Sequence, residues 1–175
     1  IVVVSPDAGG VPRAELFAKR LKSNLAVIIK RRPEPDVSEV THIVGDVEGK
    51  IAVVVDDMIS TGGTLVKAAE ALRKKGATDV YTLATHGIFA GDAIAQFEKS
   101  EINKVIVTNT IPRTIDSTKV EHLTIAQILA DAIKRITSNR SVSELFNAEE
   151  PEAPPPEEPP PVRAATELPA VAAAV

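Results

Sequence analysis

Residues 51–55, Ile-Ala-Val-Val-Val, form an unbroken apolar run in which four of five side chains are β-branched. Such a run fits a strand buried on both faces, which calls for a parallel sheet with helices above and below it. Sheets of that kind hold their ligands at the carboxyl ends of the strands. The residues after this strand are polar: Asp56 and Asp57, expected to end it, and then Ser60-Thr61-Gly62-Gly63-Thr64, opening a helical pattern. Paired glycines let a backbone turn with positive φ and lie close against a ligand, and a helix N-terminus adds unpaired N–H groups and a favourable dipole. The turn suits a phosphate monoester, and the aspartates suit a sugar diol or a hydrated Mg²⁺. A plainer reading, in which the aspartates only stop the strand and Ser60 or Thr61 caps the helix, fits most isolated Asp-Asp or Gly-Gly pairs. The ordered succession of all these parts argues against it.

The same grammar occurs at the start of the chain. Residues 1–4, Ile-Val-Val-Val, read as a buried strand. Ser5-Pro6-Asp7-Ala8-Gly9-Gly10 reads as a turn, and residues 12–22 as a helix with Ala14, Phe17, Ala18 and Leu21 on one face. Gly9 and Gly10 could form a second anion-binding nest with Asp7 beside it to hold a cation, or simply a tight turn. A third apolar strand over residues 25–29 runs into Lys30-Arg31-Arg32-Pro33-Glu34-Pro35, a basic segment that its two prolines keep extended and out of any helix. Cations at a strand's carboxyl end lie where open α/β sheets bind ligands, although most charge runs are solvated surface.

Beyond the central turn the pattern continues. Residues 64–75 read as a helix with Leu65, Ala68, Ala69 and Leu72 inward, basic residues Arg73, Lys74 and Lys75 at its end and Gly76 as its stop. A short strand pair is expected near residues 39–44, where His42 is an ordinary strand histidine. Further strands are expected over residues 80–85, 104–108 and 120–124, and helices over 92–100 and 125–136. His86 stands at the sheet's carboxyl edge, in a position that a hydrogen-bonded structural histidine also occupies.

Composition matters at the end of the chain. Residues 149–175 contain eight of the thirteen prolines, with six Glu against one Arg. Such a segment cannot bury enough surface to offset its ordering entropy and is expected to be a disordered tail, leaving residues 1–148 as the folded domain. With the tail set aside, the folded part carries a net charge near zero, against the basic face of a nucleic-acid binder. Cysteine is absent, which excludes disulfides and thiolate metal sites, and no apolar run reaches the ~18 residues of a membrane helix. A cytoplasmic protein is expected, with no nucleic acid or membrane as partner. Because the first residues already lie within a buried strand, sequence is expected to precede Ile1.

Taken together, the motifs resemble one family. The run from Val54 through Asp56, Asp57 and Ser60 to Thr64 resembles the phosphoribosyl diphosphate (PRPP) loop of the type I phosphoribosyltransferase fold, in the form found in the PRPP synthetases, the ribose-phosphate pyrophosphokinases. Ser5-Pro6-Asp7-Ala8-Gly9-Gly10 is similar to their pyrophosphate loop. Lys30 and Arg32 match the two functional positions of their flexible catalytic loop. Thr85-His86-Gly87-Ile88-Phe89, Thr108-Asn109-Thr110-Ile111-Pro112-Arg113 and the ending at residues 140–146 also match. The resemblance covers about residues 1–147 and departs in one place, where the loop often carries a third acid and this chain has Ser60.

The resemblance implies an α/β fold with a mostly parallel twisted sheet and helices on both faces. It implies transfer of the diphosphoryl group of ATP to the 1-hydroxyl of ribose 5-phosphate, giving PRPP and AMP for nucleotide biosynthesis, with Mg²⁺. Ser60, Thr61, Gly62, Gly63 and Thr64 would hold the 5-phosphate, and Asp56 and Asp57 the ribose hydroxyls. Asp7 would bind Mg²⁺, with Gly9 and Gly10 at the diphosphate, and Lys30 and Arg32 would stabilise the transition state. The family assembles as hexamers, so a homo-oligomer is implied. Its N-terminal domain supplies ATP-binding loops, and residues 1–175 alone are expected to catalyse poorly or not at all. Two other readings keep the same turn: a nucleobase phosphoribosyltransferase that consumes PRPP, and a non-catalytic synthetase-associated protein.

Overall fold

Seven strands form one sheet in the order β3-β2-β1-β4-β5-β6-β7: β1 (Val2–Ser5), β2 (Asn24–Arg31), β3 (Val40–Val44), β4 (Ile51–Ile59), β5 (Asp79–Gly87), β6 (Lys104–Thr108) and β7 (Val120–Leu123). The computed structural model describes residues 1–31 and 40–147. All neighbours are parallel except β3, which runs antiparallel to β2. The strand pair expected near residues 39–44 is thus a single strand that pairs back onto β2. Contact density divides the chain into a first unit, Ile1–Leu129, which holds the sheet, and a second, Ala130–Val175.

The two most apolar strands lie together in the middle of the sheet, because only there are both faces covered. Alternation then sorts their side chains. Val3 and Val55 meet Ala14 and Ala18 of helix α1 (Val11–Arg20) on one face. Val2, Val4, Ala52 and Val54 meet Leu65, Ala68, Ala69 and Leu72 of α2 (Gly63–Lys74) on the other, together with Phe97 of α3 (Ala93–Lys99). From β1 the chain moves outward to β2 and then returns across β1 to β4. The boundary between β1 and β4 is therefore the switch point of the sheet, where loops leave toward opposite faces and open a crevice.

Several expectations change. β4 does not stop at Asp56 but runs to Ile59, since β5 is equally long and continues the ladder through Asp56↔Ala84, Met58↔His86 and Ile59↔Gly87. β1 makes its last pairing with β4 at Val54. Both aspartates thus sit on a strand extension supported from the β5 side only. Likewise β2 extends through Lys30 and Arg31. On α1 only Ala14 and Ala18 are buried; Phe17 and Leu21 are exposed, and the sheet face beside α1 carries a cavity of about 370 Å³ lined by Phe17, Leu83, Ile106 and Leu123 among others.

Helix α4 (Ala126–Thr137) forms as expected, yet none of its residues is buried, and Ile128, Leu129, Ile133 and Ile136 are all exposed. Within the second unit Arg135 ties the helix to α5 (Glu144–Asn147) through the Ser141 carbonyl and the Glu144 carboxylate. No helix among the described residues is long and apolar enough to cross a membrane. The proline-rich tail lies outside the described residues.

Candidate functional site

Two loops flank the switch point. The first follows β1. Asp7 Oδ1 accepts the N–H of Gly10 at 2.8 Å, and the Ser5 hydroxyl donates to the Asp7 carbonyl at 2.7 Å, closing a small turn. Neither Gly9 nor Gly10 has a positive φ. Gly10 is needed for space instead, because a Cβ there would stand 2.8 Å from Ser5 Oγ.

The second loop joins β4 to α2. Gly62 is its left-handed residue, at φ +77°, and caps α2 without help from Ser60 or Thr61, which make no side-chain cap. Of the paired glycines only Gly62 has a positive φ. A Cβ on Gly62 would lie 2.5 Å from the Phe97 ring, whereas one on Gly63 would meet nothing nearer than 4.0 Å. The ring therefore backs the turn on one side and leaves the Gly63 side open to a ligand. The turn's carbonyls are already used: Ile59 accepts the N–H groups of Ile88 and Phe89 at 2.9 and 3.1 Å, and Ser60 accepts that of Ala90 at 3.0 Å. Among the described residues, no acceptor meets the N–H groups of Thr61, Gly62, Gly63 or Thr64. Bonded carbonyls beside a run of unpaired amides at a helix N-terminus are the arrangement that suits an anion.

The partners at residues 88–90 are themselves braced. Phe89, buried at φ +48°, stacks edge-on to Phe97 with ring centres 6.1 Å apart. Arg113 donates to the Ile88 carbonyl and, at 2.9 Å, to that of Phe89. His86 Nδ1 meets the Thr110 hydroxyl at 2.8 Å, and the hydroxyls of Thr108 and Thr110 donate to the Thr85 carbonyl at 2.6 and 3.1 Å. The His-Gly-x-Phe and Thr-Ile-Pro-Arg segments thus interlock behind the turn at residues 60–64. The sequence put His86 at the sheet's carboxyl edge but gave no place near the site to residues 108–113, and it did not show this brace.

The aspartates have a partner that the sequence did not announce. Arg13, in the first turn of α1, reaches Asp56 Oδ1 at 3.1 Å and Asp57 Oδ2 at 2.9 Å. Asp56 Oδ1 also accepts the Asp57 N–H, and Asp57 Oδ1 that of Met58. Burial raises the Asp56 pKa, with the adjoining Asp57 carboxyl adding to the rise and Arg13 opposing it. For Asp57, desolvation also acts upward but is outweighed by the Arg13 charge, the hydrogen bond shared with Asp56 and the Met58 amide, so its pKa is lowered. Only an i+3 spacing from Gly10 could have hinted at Arg13, and that spacing alone points nowhere.

The basic segment is only partly in view. Lys30 lies in β2, paired with Thr41 of β3, three residues past the last β1 partner, Val27. Arg32 lies outside the described residues. As to Mg²⁺, no group of three acidic or histidine ligands occurs among the described residues. Mg²⁺ commonly keeps its waters and takes one or two carboxylates plus substrate phosphates. Asp7, with Oδ1 spent on Gly10, retains Oδ2 for that purpose, so the residues fit such an ion.

A switch-point crevice with an outward-facing amide turn and two carboxylates defines the class: a phosphoribosyl-type α/β protein. The fold agrees, since orotate phosphoribosyltransferase from Aeropyrum pernix superposes with a TM-score of 0.51 at 22% identity, over 76% of this chain and 64% of that one. The chain belongs to the phosphoribosyl synthetase-associated domain family, whose model matches residues 35–147. It is 47% identical over 149 residues to a ribose-phosphate pyrophosphokinase of Fusobacterium nucleatum subsp. nucleatum, covering 84% of this chain and 47% of the relative. The corresponding enzyme of Listeria ivanovii is 50% identical over 148 residues, covering 83% and 46%. Phosphoribosylpyrophosphate synthetase from Mycobacterium smegmatis superposes with a TM-score of 0.72 at 41% identity, over 79% of this chain and 45% of that one. The chain spans about half the length of the curated relatives it matches.

Proposed function

We propose that the chain is the phosphoribosyl-binding portion of a ribose-phosphate diphosphokinase, a cytoplasmic enzyme that converts ribose 5-phosphate and ATP to PRPP and AMP. The observation that carries this reading is the succession, at the carboxyl end of β4, of the Asp56 and Asp57 carboxylates and the unpaired amides of residues 61–64. A 5-phosphate fits the amides, with the hydroxyls of Ser60, Thr61 and Thr64 adding donors, and a ribose fixed there would turn its ring hydroxyls toward the aspartates. The relatives named ribose-phosphate pyrophosphokinase favour the same assignment.

In the reaction the ribose 1-hydroxyl attacks the β-phosphorus of ATP, the bond from that phosphorus to the bridging oxygen of AMP breaks, and the hydroxyl proton is released. Residues 60–64 anchor the sugar and the aspartates fix its ring, which lowers the entropy of attack. Gly9 and Gly10 would meet the diphosphate end. Lys30 and Arg32 supply the cations that offset charge on the transferring group. Mg²⁺, held by Asp7 and the substrate phosphates, would supply further charge neutralisation. Residues 1–148 are the domain that carries this site, residues 149–175 are a tail outside it, and the enzyme is a homo-oligomer.

The test is formation of AMP and PRPP by the full-length protein, with any sequence that precedes residue 1, from ATP, ribose 5-phosphate and Mg²⁺. The expected result is AMP formation that depends on ribose 5-phosphate and falls at least about a hundredfold in Lys30→Ala. Consumption of PRPP when a nucleobase is offered, with no AMP, would move the assignment to a transferase. Neither activity would leave a non-catalytic associated protein.

A further inference from the structure

We propose that Arg13 is the positioning residue that confers preference for a sugar diol, by clamping Asp56 and Asp57 into one rigid acceptor pair. The inference rests on the ribose reading above and extends it to a residue outside the phosphate turn.

Adjacent carboxylates repel, and on a strand extension paired from one side only they have little else to hold them. Arg13 answers both problems at once. Its two terminal nitrogens go to different aspartates, Nη1 to Asp56 and Nη2 to Asp57, so one planar guanidinium sets the distance and the tilt between them. The N–H groups of Asp57 and Met58 fix the remaining freedom, taking Asp56 Oδ1 and Asp57 Oδ1. Asp56 Oδ2 is left without a partner among the described residues, and Asp57 is the more exposed of the two, 55% against 22% for Asp56. The pair therefore offers a vicinal diol the free Oδ2 of Asp56 and the exposed carboxylate of Asp57, whose oxygens also hold Arg13 and the Met58 N–H, while the cation fixes the spacing between them.

The position of Arg13 strengthens the case. It stands three residues after Gly10, and a Cβ added to Gly10 would lie 3.6 Å from its Nη1. One side chain thus runs from beside the Asp7 loop to Asp56 on the extension of β4, spanning the switch point. A purely structural salt bridge between partly exposed groups contributes little to stability, and its loss would affect every ligand alike. A clamp would affect only those that use the aspartates.

The test measures binding of ribose 5-phosphate, 2-deoxyribose 5-phosphate and inorganic phosphate by calorimetry to the full-length protein and to Arg13→Met and Arg13→Lys. Met keeps the apolar stem against α1, and Lys keeps a cation but cannot bridge two carboxylates. Folding of each variant is checked by circular dichroism. The proposal expects Arg13→Met to lose roughly tenfold in affinity for ribose 5-phosphate while inorganic phosphate changes less than about twofold and the deoxy sugar little more, with Arg13→Lys in between. It is overturned if Arg13→Met keeps the wild-type preference for ribose 5-phosphate, or if all three ligands weaken equally. Should the wild-type protein itself bind ribose 5-phosphate no better than inorganic phosphate, the ribose reading fails first and the clamp falls with it.

Discussion

Gly62 meets two demands at once: its φ of +77° lies in the left-handed region, and its α-carbon faces the Phe97 ring with no room for a methyl group. Gly62→Ala should therefore destabilise the protein by roughly 1–3 kcal/mol and weaken phosphate binding, measured by urea denaturation and phosphate titration. The aspartates make a sharper residue-scale prediction. Asp57 has a lowered pKa, so its ionised form stabilises the fold above the unfolded value of about 3.9, and that contribution is lost as pH falls through the lower folded value. Asp56 has a raised pKa, so its ionisation opposes folding, and the penalty grows as pH rises from the unfolded value through the folded one. At pH 7, Asp57→Asn should lower stability and Asp56→Asn should leave it unchanged or higher, while both lose ribose binding. Equal destabilisation by the two would contradict this electrostatic account. Sequence made the aspartates and the phosphate turn legible because strand, acid pair and glycine turn are contiguous. Arg13 was not legible, since its contact is long-range and depends on α1 packing across the β1–β4 boundary.

At the scale of elements, the phosphate turn is held by pieces that come later in the chain. Residues 88–90 take its carbonyls, Phe97 fills the space behind Gly62, and Arg113 ties down the Ile88 and Phe89 carbonyls. Phe97→Ala should cost about 3–5 kcal/mol as a cavity opens in the core. Arg113→Ala should weaken phosphate binding on the order of several-fold with a smaller loss of stability. Separate denaturation and phosphate-binding curves for the two variants check this division. The helices and most strands could be read from apolar periodicity, since α2 buries all four residues assigned to its inner face. Strand ends were less legible. β4 passes through Asp56 and Asp57 because β5 is there to pair with Asp56, Met58 and Ile59, which no local pattern in β4 encodes.

Among the described residues of the whole chain, burial is concentrated in the sheet and in α1, α2 and α3, whereas α4 buries none of its residues. The periodicity of α4 shows an apolar face but not what that face meets, so its burial could not be read from the sequence. Leu72→Ala, in the sheet core, should cost about 2–5 kcal/mol, while Ile133→Ser, at a position 61% exposed, should stay within about 0.5 kcal/mol of wild type. A large loss at Ile133 in denaturation experiments would mean that α4 is packed in solution. The central claim is that the switch-point crevice binds a 5-phosphorylated ribose. A crystal structure with ribose 5-phosphate bound tests it most directly. The account predicts the phosphate against the N–H groups of residues 61–64 and the ring hydroxyls on Asp56 and Asp57. A phosphate bound elsewhere, or a sugar turned away from both aspartates, would contradict it.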